Sequence, residues 1–386
     1  MIAPSITASF RSFFHASPTL LVRAPGRVNL IGEHTDYNEG FVLPMALELS
    51  TWIALRPRPD DKVLLHSLDF HETLEFSLSA LKKESGWGEY VKGVAWALQE
   101  TGYALQGWEG VMASEVPIGA GLSSSAALEV AIARAFAAAS SLEWDGKRMA
   151  LLCQKAENEW VGVGCGIMDQ MVSALAQRGH ALFLDCRSLE TRQVPFPPGV
   201  TLVVMDTNTR RELAGSAYNE RREQCTRAAH LLGVPSLRHL SSQELERRAK
   251  ASGLDEVLYR RARHVVSENE RVQQAIQALE AGDVPTFGTL LNESHRSLDR
   301  DFEVTGAALN GIVTAAWEHP ACYGARMTGA GFGGCALALV KEEAVQDFMR
   351  FVGETYRHRC GREAAFYPSH PAQGVECFLQ MVTPNG

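Results

Sequence analysis

Residues 116–130 read VPIGAGLSSSAALEV. The stretch that leads into them, 111–116, is short and apolar, which fits a strand. The run that follows, Ser124–Ser141, is rich in Ala and Leu and has no Pro, so it reads as helix. A glycine-rich turn therefore joins a strand to a strong helix. The first amides of a helix have no partner within it and lie at the positive end of its dipole, which makes a seat for phosphate. Gly119 and Gly121, with Ala120 and Leu122 beside them, let the backbone come close to a ligand. Ser123, Ser124 and Ser125 offer hydroxyls for capping, phosphate or metal. A Walker A loop needs G-x-x-x-x-G-K-[ST], and no lysine stands here. These residues alone leave two readings open: an ordinary capped turn, or a phosphate loop of another type.

Working outward, Phe10, Phe13 and Phe14 share one face of a short helix over 5–16. Residues 19–31 read as strand, turn, strand, broken at Pro25–Gly26. Strands are expected over 41–57 and as a pair within 62–78, and a helix over 90–99. Further helices are expected at 147–160, across most of 212–282 with a break at Pro235, at 284–298 and at 306–318. Strands are expected at 181–186 and 200–206. A second glycine-rich turn, 328–334, leads into the strand CALALV. It spells G-x-G-x-x-G, but a dinucleotide loop would open a helix rather than a strand. Pro195, Pro197, Pro198 and Gly199 cluster where a boundary is expected, which gives domains 1–190 and 191–386.

The 386 residues suit two domains rather than one. The formal charge of −8 argues against nucleic acid and anionic membrane as default partners. No apolar run reaches membrane-spanning length, and the N-terminal stretch lacks a signal-peptide core. The eight cysteines show no C-x-x-C pair and no disulfide-dense spacing. A cytoplasmic protein with reduced thiols is expected.

Four segments together resemble one family. PIGAGLSSSAA is similar to the ATP-binding motif of the small-molecule kinases that include galactokinases, homoserine kinases, mevalonate kinases and phosphomevalonate kinases. GRVNLIGEHTDYNEG (26–40) resembles the galactokinase signature within that family, and CGIMDQ (165–170) the galactokinase form of its catalytic aspartate segment. RMTGAGFGG (326–334) resembles the family's third motif. The resemblance implies an α+β fold in two lobes with the active site in the cleft. The N-terminal lobe would hold a mixed sheet with helices, and the C-terminal lobe an antiparallel sheet with helices. The implied reaction is ATP-dependent phosphorylation of galactose at C1, with Mg²⁺ accompanying ATP, in a monomeric enzyme.

The same resemblance implies roles for single residues. Asp169 would take the proton from the sugar hydroxyl, or orient it, and Arg27 beside it would favour the carboxylate form and stabilise the transferring phosphoryl. Glu33, His34, Thr35, Asp36, Gly166 and Tyr218 would bind the sugar, since carboxylates accept hydrogen bonds from neighbouring hydroxyls. The phosphate loop would be Gly119 to Ser125, with Ser67, Trp87 and Tyr90 near the nucleotide. Ser125 and Glu157 would be the Mg²⁺ ligands. Without the resemblance, Asp169 and Arg27 read as a routine ion pair, His34 as a buried histidine, and Trp87, Tyr90 and Tyr218 as packing aromatics. A kinase of the same family acting on a related sugar, and a non-catalytic galactose- and ATP-binding regulator, are the competing functions. The complete Ser123–Ala127 run argues against the regulator. Ala217, and the drift of 301–311 from the family pattern, bear on sugar selectivity.

Overall fold

The computed structural model describes residues 2–209 and 214–380. In chain order they form α1 (Ile2–Phe14), β1 (Leu20–Asn29), β2 (Phe41–Val42), β3 (Pro44–Pro57), β4 (Lys62–Ser67), β5 (Glu72–Ser77), α2 (Gly88–Glu100) and β6 (Trp108–Ser114). Then come α3 (Ser124–Ala139), α4 (Gly146–Lys155), α5 (Met168–Leu175), β7 (His180–Asp185), β8 (Thr191–Pro195) and β9 (Val200–Asp206). The remainder is α6 (Ala214–Leu231), α7 (Ser242–Ser252), α8 (Glu256–Glu280), α9 (Val284–Ser297), α10 (Ala307–Trp317), β10 (Cys322–Met327), β11 (Cys335–Lys341), α11 (Val345–Cys360), β12 (Ala365–Ser369) and β13 (Glu376–Leu379).

The fold is α+β in two lobes. One sheet runs β13-β1-β3-β6-β4-β5 and is mixed, because β4 lies parallel to β6 while its other pairs are antiparallel. A second, antiparallel sheet runs β10-β11-β9-β12, and a small third sheet runs β2-β7-β8. The third sheet was not foreseen, and neither were β8, β10, α5 or anything after β11. The chain's last strand, β13, returns to pair with β1 in the first sheet.

Burial explains the patterns. The middles of β9 (Leu202–Met205) and β11 (Ala336–Val340) are apolar on both faces because both faces are covered. Val203, Met205, Ala336 and Ala338 face one cluster with the helices of the C-terminal half. Leu202, Val204, Leu337 and Leu339 face another, which they share with Val28, Leu30 and Leu43 from the first half of the chain. That shared cluster joins the two lobes. α3 is buried from Ala126 through Ala133, and its small side chains let it lie close against the sheet.

Three expectations need correction. Pro25–Gly26 does not end a strand: β1 continues through a register shift between Pro25 and Arg27. Such a bulge re-aims a side chain without breaking the sheet. The helix expected over 147–160 is α4 followed by a π-helical turn, Ala156–Val161. Of the three phenylalanines on α1, Phe10 is fully buried, whereas Phe13 is exposed and stacks on His66 at 4.4 Å. The first residues of the helical stretch expected from 212 lie outside the described residues.

Candidate active site

The bulge in β1 aims Arg27 at the N-terminus of α5. Its Nε donates to Asp169 Oδ1 at 2.8 Å and its Nη2 to Asp169 Oδ2 at 2.6 Å, a two-pronged ion pair with directional strength. Its third arm, Nη1, donates to Gly121 O at 2.8 Å. The backbone N–H of Arg27 donates to Leu122 O at 3.1 Å. A side chain at Gly26 would place its Cβ 2.8 Å from Leu122 O, so only glycine lets β1 pass this close to the loop. One arginine thus ties the helix that carries Asp169 to the glycine-rich turn.

That turn ends on α3, and no side chain caps the helix. Ser123 was expected among the capping hydroxyls. It sits instead in the left-handed region, at φ 60°, and its hydroxyl donates to Asp169 Oδ2. Among the described residues, the amides of Gly121, Leu122 and Ser123 make no backbone hydrogen bond. The helix start therefore keeps its donors available, as a phosphate seat requires. Ala120 and Leu122 are fully buried and anchor the loop. Cys335, at the end of the second glycine-rich turn, braces it from the other lobe by donating from Sγ to Ala120 O at 3.1 Å.

On one side of the Arg27–Asp169 pair lies a polar cavity of about 610 Å³. Its walls include Glu33, His34, Asp36, Gly166, Asp169 and Tyr218, and also Cys165, Asn219, Arg222 and Ala330. Glu33 is buried, with both carboxylate oxygens engaged. Oε2 accepts from Asn29 Nδ2, and Oε1 accepts from Gly329 N and, at 3.1 Å, from Thr328 Oγ1. Burial pushes its pKa up, against the lowering effect of Arg326. His34 is held at φ 63° among the rings of Tyr37, Tyr218 and Phe302. Burial lowers its pKa to about 3, so it is neutral, with Nδ1 2.9 Å from the Tyr37 hydroxyl. Asp36 lies against Gly166, where a Cβ would come within 2.5 Å of its Oδ2. Burial raises Asp36 to about 6, with Asp169 and Glu33 adding to the shift.

On the other side of α3's first turn lies a smaller, mainly apolar cavity of about 160 Å³. Phe70 and Trp87 stack there, their centroids 5.6 Å apart and their planes 11° from parallel. Tyr90, Ser124 and Ser125 complete the wall toward the glycine-rich turn. Behind this wall, Gln170 Nε2 donates to Glu157 Oε2 at 2.8 Å and to Glu129 Oε2 at 3.0 Å. Glu157 also accepts from Cys165 Sγ at 3.0 Å, and the nearby Ser125 hydroxyl favours its charged form. Burial raises the pKa of both glutamates.

Not every expected residue reaches a cavity. Thr35 is fully buried, its hydroxyl within 2.8 Å of Gly32 O and 2.6 Å of Phe41 O, so it shapes the loop. Ser67 is fully buried and accepts from Phe70 N at 3.3 Å, which holds the turn that carries Phe70.

The geometry now has a family to stand in. Residues 8–57 match the galactokinase galactose-binding signature, 89–177 the GHMP kinases N terminal domain and 275–358 the GHMP kinases C terminal domain. A galactokinase of Roseiflexus sp. (strain RS-1) is 46% identical over 97% of this chain and 97% of its own. The chain belongs to the galactokinase family. A galactokinase of Chloroflexus aggregans (strain MD-66 / DSM 9485) is 44% identical, again over 97% of each chain. The crystal structure of Lactococcus lactis galactokinase complexed with galactose is similar at a TM-score of 0.92 and 38% identity, covering 97% of this chain and 100% of that one.

Within this galactokinase-family fold, sequence reasoning missed several wall residues. Phe70 sits at an exposed hairpin tip, 39% exposed, and an aromatic in such a place is a signal that could have found it. Arg222 follows Tyr218 by one helical turn, so the spacing alone puts it on the same face. Gln170 ends the CGIMDQ segment, but its bridge between Glu129 and Glu157 is set by the tertiary fold and not by spacing.

Proposed function

We propose that the chain is a galactokinase that transfers the γ-phosphoryl group of ATP to the C1 hydroxyl of galactose, yielding galactose 1-phosphate and ADP in galactose catabolism. The observation that carries this reading is the position of the Arg27–Asp169 pair. It stands between a cavity lined by charged and polar side chains, with room for a hexose, and an uncapped helix start.

Galactose would occupy the 610 Å³ cavity, with Asp36, Glu33, neutral His34, Tyr218 and the backbone near Gly166 meeting its hydroxyls. The triphosphate would lie on the free amides of 121–125, and adenine would enter the apolar cavity between Trp87, Phe70 and Tyr90. Asp169 accepts the proton as the C1 oxygen forms its bond to phosphorus and the bond to the ADP oxygen breaks. Arg27 offsets charge on the carboxylate and on the phosphoryl in transit. Phosphoryl transfer needs positioning and charge compensation above all, and these groups supply both.

The Ser125 hydroxyl and the Glu157 carboxylate fit Mg²⁺, because they are hard oxygen donors brought near each other at the helix start. Bound there with ATP, Mg²⁺ would neutralise phosphate charge. Among the described residues no cluster of three or more His, Cys, Asp or Glu is arranged to hold a metal, and Mg²⁺ carried largely by phosphate and water needs none. No helix among the described residues is long and apolar enough to cross a membrane. The reading includes a monomer in the cytoplasm that does not bind nucleic acid. It also includes two functional units, 1–190 carrying the sugar and ATP sites and 191–386 bracing them.

ADP release measured with galactose, 2-deoxygalactose, N-acetylgalactosamine and glucose tests the assignment. Turnover is expected with galactose, with a phosphate ester at C1. Absence of turnover with galactose alongside turnover with another of these sugars would overturn it.

A further inference from the structure

Helix α8 belongs to the second half of the chain, yet three of its side chains end on the 32–41 loop. His264 Nε2 lies 3.1 Å from Glu33 O, and its Nδ1 lies 2.9 Å from Ser297 Oγ. Asn269 Oδ1 accepts from Phe41 N at 2.8 Å. Between them in sequence, Glu268 has no exposed surface. Its Oε1 accepts from Gly32 N at 3.0 Å, from Glu33 N at 3.4 Å and from Ser294 Oγ at 2.6 Å. Its Oε2 accepts from Arg271 Nε at 2.8 Å. Residues 264, 268 and 271 are three or four apart and so share one helix face.

The loop needs such an anchor. Gly32 has φ +98°, His34 +63° and Glu39 +58°, and left-handed backbone is unfavourable for residues with a Cβ. A conformation that the segment does not prefer by itself is what turns Glu33, His34 and Asp36 toward the cavity. A buried carboxylate that accepts consecutive amides at the first of these turns can hold it there. A neutral acceptor would hold it less firmly, since hydrogen bonds to a charged group are the stronger ones.

We propose that Glu268, with Arg271 as its counter-ion, is a positioning residue for the sugar: it fixes the backbone at Gly32–Glu33 and thereby the register of Glu33, His34 and Asp36 against the hexose. Burial pushes the Glu268 carboxyl up, but Arg271, with His264 and Arg326, leaves it below the ordinary glutamate range, so the acceptor is charged at neutral pH. Arg271, itself largely buried, also borders an open groove beside α8.

The proposal rests on the reading of 33–36 as sugar-binding, and its test separates the two. Glu268→Gln keeps the shape and removes the charge. Its KM for galactose is expected to rise about tenfold, equivalent to about 1.4 kcal/mol, with KM for ATP within about twofold of wild type. Arg271→Gln should move the galactose KM in the same direction by less, and Arg271→Lys, which keeps the charge, should recover most of the loss. An unchanged galactose KM in both Gln variants, or an equal rise in both substrates' KM, would overturn it. If Glu268→Gln yields no folded protein, Arg271→Gln alone decides. A wild-type enzyme without galactose turnover would instead defeat the functional assignment.

Discussion

The two glycine-rich turns have nearly the same spelling and opposite uses. Gly119 and Gly121 of the first have φ of +74° and +84°, and Gly329 and Gly331 of the second +82° and +79°. In the second turn three of the backbone donors are already engaged. Gly329 N donates to Glu33, Phe332 N to Val304 O at 2.6 Å and Gly334 N to Thr209 O at 3.2 Å. A Cβ at Gly331 would collide with Val304 O. In the first turn a Cβ at Gly119 meets nothing within 4 Å, and the amides of 121–123 have no backbone partner. A glycine loop binds a ligand when its donors are left over and space surrounds it. When neighbours take both, it is a brace.

If the first turn serves chemistry, its closest partner should show the largest effect. Asp169→Asn is expected to lower kcat by about 10³-fold, within the range for a positioned acid–base group, while equilibrium dialysis still finds galactose bound. A kcat within tenfold of wild type would remove Asp169 from the reaction. Next in size is a contrast of glycines. Gly331→Ala should lose about 2–4 kcal/mol of stability, from left-handed backbone plus the clash. Gly119→Ala should lose only about 1 kcal/mol but raise the KM for ATP. Thermal melting and ATP titration of the two variants check this, and equal stability losses would erase the distinction drawn above.

A smaller effect concerns pH. With Asp36 raised to about 6, its carboxyl protonates as pH falls through that value and loses an acceptor for sugar hydroxyls. The KM for galactose should therefore rise severalfold between pH 7 and pH 5, and Asp36→Asn should flatten that limb from an already weakened start. Stability moves the other way. The folded value lies above the ordinary 3.8, so the favourable contribution of Asp36 is complete below about 4 and lost as pH rises through about 6. Melting of the sugar-free protein at pH 5 and pH 7, with and without Asp36→Asn, tests the sign. The smallest effect is expected at Ser67. Ser67→Ala should lower stability by about 1 kcal/mol, raise the KM for ATP only slightly through the Phe70 turn that its hydroxyl holds, and leave the KM for galactose unchanged.

The legible parts of the sequence were those governed by local rules. The strand–loop–helix unit around 116–130, the strands with two covered faces and the placement of the second turn before a strand all follow from periodicity and glycine content. The break at Pro25–Gly26 was misread because a bulge and a turn have the same spelling, and only pairing with β3 keeps β1 extended. The sequence leaves the Ser123 hydroxyl open to capping, phosphate or metal. That hydroxyl is drawn away by Asp169, a partner 46 residues further along the chain.

By itself the sequence determined where a helix would begin with free amides, and which arginine and carboxylates were available for a kinase site. Tertiary structure alone decided that Arg27 clamps both oxygens of Asp169, that Thr35 and Ser67 face inward, and that α8 holds the 32–41 loop. Local propensity acts over a few residues. Hydrogen bonds between residues hundreds of positions apart exist only once the shared core has brought the two lobes together.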